Sequence, residues 1–155
     1  MNDEEMIWEV YENNKRSDVR YERGEYTFKY KNKDINAICS YGGALGEIIR
    51  LFDPENNEQI AFIDFKKGQK YNNHDNGVEI GTVAVSKNYQ RQGYSKLLLK
   101  IVEDYAKKNN LIYIYVEFAT SIMLRSLTSM FNIIKIKKDK SIKSREAFKD
   151  IIIKL

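Results

Sequence analysis

Between residues 77 and 85 apolar and polar or small residues alternate. Val78, Ile80, Thr82 and Ala84 fall on one face and Glu79, Gly81, Val83 and Val85 on the other, the two-residue period of a β-strand. Farther on, Leu98, Ile101, Val102 and Tyr105 recur at i, i+3, i+4 and i+7, one apolar stripe of a helix. That helix is expected to end at residues 107–110, where two lysines occupy the last turn and asparagine can take a left-handed cap. Residues 111–118 form a nearly continuous apolar and aromatic run, the pattern of a strand buried on both faces. Strand, helix and strand at this spacing predict a right-handed crossover and a parallel strand pair.

The chain before this unit reads as strands at residues 6–12, 25–31, 35–41, 47–52 and 59–65. Turn chemistry separates them at Asn13 and Asn14, at residues 32–34, at the glycines of 42–46, and at residues 53–57. Residues 66–76, ending Asn-Asn-His-Asp-Asn, are expected to form a polar hairpin loop. After the crossover, residues 120–132 are helical in pattern, and strands at 133–137 and 148–154 close the chain. The predicted class is α/β (α+β): a mixed, mostly antiparallel sheet with helices packed on it.

Composition narrows the class. At 155 residues one domain with its own core is expected, and 43% hydrophobic with 31% charged residues fits a globular chain. No apolar run approaches the ~20 residues of a membrane span. The first five residues are acidic where a secretory signal would be basic, and the single Cys39 cannot form an internal disulfide, so a reducing cytoplasmic location is expected. The net charge of +4 concentrates in residues 133–155, which hold eight Lys/Arg against three Asp/Glu. These basic residues lack the interleaved aromatics of single-strand binding, so a solvated face is favoured over nucleic-acid contact.

The chemistry is expected where the strand meets the helix. Residues 83–96 read as a strand end, a short basic loop with one glycine, and a helix N-terminus. Converging backbone N–H groups and the helix dipole make that junction an anion site, above all for phosphate. No Gly-x-x-x-x-Gly-Lys-Ser/Thr loop is present, and the glycines of 42–46 lack the Gly-x-Gly-x-x-Gly spacing of a dinucleotide fingerprint. The segment resembles the coenzyme A loop of the GNAT superfamily of N-acetyltransferases, Gln/Arg-x-x-Gly-x-Gly/Ala. Gln90, Gly93 and Ser95 fill its defined positions, Ser95 in place of Gly or Ala.

The resemblance, carried mainly by residues 83–99, implies a GNAT-like domain with a central splayed parallel strand pair. It implies acetyl-CoA as cosubstrate, no metal, and acetyl transfer to an amine by direct attack in a ternary complex. Backbone groups of Val83 and Val85 would hold the pantetheine arm. Gln90 and the loop of Arg91, Gln92, Gly93, Tyr94, Ser95 and Lys96 would cradle the pyrophosphate, with Gly93 letting the backbone approach it. Ser121 replaces the family's Asn and is expected among the coenzyme-binding residues. Glu79 is the expected base, acting through water, with Glu117 as competitor. Thr128 stands where the family's acidic Tyr should be; an aliphatic hydroxyl is a far poorer acid than a phenol, which leaves Tyr94, Tyr113, Tyr115 or solvent to protonate the thiolate. His74 reads as an exposed loop residue and Cys39 as core. The first 58 residues look β-rich where the family places two helices that help build its acceptor site. The alternative is a catalytically degenerate coenzyme-A-binding or interaction protein. The acceptor stays open among protein N-termini, lysines, polyamines and aminoglycosides, as does a homodimer.

Overall fold

The computed structural model describes residues 24–43, 45–71, 74–138 and 147–155, so the strand expected at 6–12 lies outside the described residues. The described strands are β1 (Gly24–Tyr30), β2 (Lys33–Gly43), β3 (Gly46–Phe52), β4 (Gln59–Tyr71), β5 (His74–Val85), β6 (Tyr113–Thr120), β7 (Asn132–Lys138) and β8 (Ala147–Lys154). They form one sheet in the order β1-β2-β3-β4-β5-β6-β8-β7. Every neighbouring pair is antiparallel except β5 and β6, which run parallel from Gly77↔Tyr113 to Ile80↔Val116. Helix α1 (Tyr94–Lys108) makes the crossover between that pair, and α2 (Ser121–Met130) follows β6. The predicted fold class is the observed one.

Both helices lie on one sheet face. The α1 stripe is buried through Leu98, Ile101, Val102 and Tyr105, and the Tyr105 ring meets Phe65 of β4 edge-on at 5.1 Å. Ile63, Ile80, Ile114 and Val116 complete the layer with no exposure above 1%. Cys39 is buried in the same core. The helix ends as its sequence predicts, with Asn109 as cap and Asn110 at φ 59°.

Three local readings are corrected. Residues 66–71 and 74–76 are not a loop: β4 and β5 continue as paired strands to Tyr71↔His74, so His74 begins a strand. Polar side chains such as Lys66 and Lys67 face solvent there without interrupting the backbone ladder. The β1–β2 turn is Lys31–Asn32, one residue earlier than expected, with φ of 50° and 64° as a two-residue type I′ turn requires. β6 is fully buried on one face only, since Tyr115 is half-buried and Glu117 exposed.

The register of β4 against β5 carries the largest correction. Phe65 pairs with Ile80 and Ile63 with Val83, so Gly81 and Thr82 together oppose the single residue Asp64, a β-bulge. The extra residue reverses the alternation. Val83 and Val85 therefore share the helix-covered face with Ile80, while Glu79 lies on the opposite face with Lys66 and Tyr115. Asp64, 4% exposed, accepts the Thr82 N–H at 2.6 Å and ties the bulge in place. A Cβ on Gly81 would collide with that carboxylate and with Leu45, so the bulge needs a glycine here.

Candidate functional site

β5 and β6 part company after Ile80 and Val116, because the bulge turns β5 toward β4 while β6 continues along β8. The gap opens as a cleft of about 550 Å³ lined by Val83 and Val85 on one side. Thr120, Ile122, Met123 and Ser126, from the end of β6 and from α2, form the other side. Its mouth is the loop before α1, where Gln90, Arg91, Gly93, Tyr94, Ser95 and Lys96 all contribute. Of the coenzyme residues expected from sequence, the structure thus brings eight together. Gln92 is exposed and outside the lining, and Ser121 opens α2 behind its cap, Thr120, whose hydroxyl accepts the Met123 N–H at 3.3 Å.

The loop is held from outside itself. Its 3₁₀ turn, Lys87–Tyr89, buries Tyr89, whose hydroxyl donates to Asp53 Oδ2 at 3.0 Å. Asp53 also pairs with Lys33 Nζ at 2.6 Å, and that hydrogen bond, with the Glu55 N–H, holds its carboxyl below the usual range. Gln90 Nε2 donates to the Val85 carbonyl at 3.2 Å. Tyr94, 3% exposed, stacks at a tilt on Tyr30 with centroids 5.1 Å apart, and burial raises its phenol pKa. Gly93 has φ 89° and precedes the first helical residue, so the α1 N-terminus faces the mouth. Arg91 also takes a left-handed conformation, φ 63°.

The structure gives Gly93 a further reason to be glycine, besides its φ of 89°. Its missing Cβ would lie 2.5 Å from the Tyr30 hydroxyl, on the protein side of the loop. Tyr30 and Lys31 belong to β1 and its turn, more than sixty residues away, and no local sequence pattern pointed to them.

The catalytic candidates divide. Glu79, 8% exposed, sits one residue before the split on the sheet face opposite the helices. Burial pushes its carboxyl pKa up; Lys66 Nζ at 4.0 Å opposes this, while Glu117 and Asp64 add to it. Tyr115 is on that face too, donating to Asp150 Oδ1 at 2.8 Å, with its phenol pushed up to about 12 by burial and that bond. Thr128 is exposed, donates its hydroxyl to the Arg125 carbonyl at 3.0 Å, and is not among the residues that line the cleft. Ser126, two residues earlier, is the α2 hydroxyl that lines the cleft.

Known proteins give the same outline. The profile of the Acetyltransferase (GNAT) family matches residues 7–124, beginning well inside the N-terminal part that the sequence set apart. No curated protein sequence matches the chain. Among solved structures, the NatC complex bound to Gag peptide and CoA is similar at 20% identity, with 70% of each chain covered and a TM-score of 0.58. The ribosomal-protein-S18-alanine N-acetyltransferase from Escherichia coli matches at 22% identity over 70% of this chain and 66% of its own, TM-score 0.51. A Salmonella typhimurium protein solved with its cofactor acetyl-CoA matches at 16% identity over 70% and 63%, TM-score 0.53.

Proposed function

The chain belongs to the GNAT acetyltransferase family, and from that premise we propose that it transfers an acetyl group from acetyl-CoA to a primary amine. The observation that carries this is the cleft itself, walled by a split parallel pair and closed by a glycine-bearing loop at a helix N-terminus. Acetyl-CoA would supply a thioester whose carbonyl carbon accepts the amine and whose thiolate then leaves.

The residues present fit that group. Backbone N–H groups of the loop and first turn of α1 would hold the pyrophosphate, as helix N-termini hold anions, with Arg91 and Lys96 adding charge. Gly93, Ser95 and the backbone of Val83 and Val85 leave room along the cleft. The bulge separates the binding and acceptor sides: Val83 and Val85 face the helices, and Glu79 faces the other way. An amine entering from the Glu79 side would meet the thioester through the split, giving direct attack in a ternary complex. Glu79 would take the ammonium proton through water, and its raised pKa suits a base that must also release the proton. Thr128 donates its hydroxyl to the Arg125 carbonyl, and Ser126, which lines the cleft, is an aliphatic hydroxyl and as poor an acid. Solvent would therefore protonate a thiolate that is already a fair leaving group.

The test is amine-dependent release of free CoA thiol across a panel of N-terminal peptides, lysine peptides, polyamines and aminoglycosides, with the acetylated product identified by mass. Turnover with one acceptor class supports an enzyme. Saturable acetyl-CoA binding without thiol release on any acceptor would favour the degenerate coenzyme-binding reading instead.

A further inference from the structure

Two donors from one corner of the sheet converge on a single carbonyl of the loop. Tyr30 Oη donates to the Gln92 carbonyl at 2.9 Å and Lys31 Nζ donates to the same oxygen at 2.8 Å. The Tyr30 hydroxyl also fills the space where a Gly93 Cβ would stand. The pair is itself pinned, because the I′ turn at Lys31–Asn32 fixes the hairpin and the Tyr30 ring packs on Tyr94, the first residue of α1.

In a trans peptide the C=O and the following N–H point in opposite directions, and no cis bond interrupts the described backbone. Fastening the Gln92 carbonyl toward the β1–β2 corner therefore turns the Gly93 N–H away from that corner, toward the cleft that Gly93 lines. A lysine ammonium on the carbonyl also polarises the peptide and strengthens its N–H as a donor. We propose that Tyr30 and Lys31 are positioning residues of the coenzyme site: they form a latch that aims the Gly93 amide at the pyrophosphate. The inference rests on the acetyl-CoA reading above. It gives the β-rich N-terminal part of the chain a role in holding the coenzyme.

The test uses the full chain, acetyl-CoA titrated calorimetrically, and the ¹⁵N-resolved Gly93 amide resonance. Tyr30→Phe and the exposed Lys31→Met are each expected to weaken acetyl-CoA binding about five- to tenfold, the effect of one hydrogen bond, charge-assisted for lysine. The downfield shift of the Gly93 amide on binding should shrink in both. Lys31→Met should leave the melting temperature in place, which separates aiming from folding. Wild-type affinity in both variants would overturn the latch while leaving the acetyl-CoA reading intact. Weaker binding with a full Gly93 shift would overturn it too, assigning the pair a merely structural part. A wild-type protein that does not bind acetyl-CoA would overturn the reading and the latch together.

Discussion

The two walls of the cleft are built to different standards. The loop wall is braced by distant parts of the sheet: Tyr30 and Lys31 on Gln92, and Asp53 with its Lys33 partner on Tyr89. The α2 wall is a ten-residue helix whose cap, Thr120, is local and whose Ile122 stands 74% exposed. The first wall has the donors and charges that coenzyme binding needs. The second has an exposed threonine, Thr128, where the family's pattern calls for a phenol. On the proposed reading, coenzyme binding is more fully specified in this chain than the protonation of the leaving group.

The sharpest way to break this contrast is at Glu79, which belongs to neither wall. Glu79→Gln is expected to lower turnover by about 10²- to 10⁴-fold, the usual share of a general base, while acetyl-CoA affinity stays put. A variant within twofold of wild type in thiol release would move the base elsewhere. Next in size is Gly93→Ala, which forces a Cβ onto Tyr30 Oη at a φ of 89°. It should cost about 1–3 kcal/mol in denaturant unfolding, and less in a Tyr30→Phe background, where the colliding hydroxyl is gone. Equal costs in both backgrounds would refute the packing of Gly93 against β1.

The pH dependence sharpens the comparison further. With its pKa raised above 4.5, Glu79 should give a rate that climbs with pH through a midpoint above that value, and Glu79→Gln should flatten the profile. Its contribution to stability runs the other way, present below the unfolded value of 4.5 and lost as pH rises through the folded midpoint. Asp53 behaves oppositely: its pKa is lowered, so the Asp53 brace stabilises the fold above the ordinary 3.8 and fades as pH falls through its depressed value. Unfolding curves of Asp53→Asn against wild type should therefore converge in acid. The smallest effect is expected at Thr128→Ala, with turnover within about twofold, as for exposed positions away from special features.

How much of this was legible in the sequence follows from how local each cause is. The α1 stripe and the Asn109–Asn110 stop are set by neighbours three and four residues apart, and the structure reproduces them. The strand-loop-helix junction before α1 was readable for the same reason, since strand, glycine and helix follow one another directly. The bulge was not, because Gly81 and Thr82 continue a regular alternation and only the register against Asp64 reveals the extra residue. An aspartate inside the apolar run of residues 59–65 and the isolated Gly81 inside the strand were the available signals. Residues 66–76 misled for a different reason: polarity marks exposure, and an exposed hairpin is as polar as a loop. Tyr30 and Lys31 could not be found locally, since they meet Gln92 only in the tertiary fold, more than sixty residues away along the chain.

Coenzyme binding is the first property to test, and the control must obstruct the anion site without disturbing the loop. Gly93 is unsuitable, because any side chain there strikes Tyr30. Ser95 serves better: it lines the cleft in the first turn of α1, where a glutamate is favoured by the helix dipole by about 0.3–1 kcal/mol yet would repel a phosphate. Calorimetric titration with acetyl-CoA should show stoichiometric binding to the wild-type protein and none to Ser95→Glu, at an equal or higher melting temperature. A wild-type protein that gives no heat of binding, or a Ser95→Glu variant that binds as tightly, would contradict the assignment of the cleft.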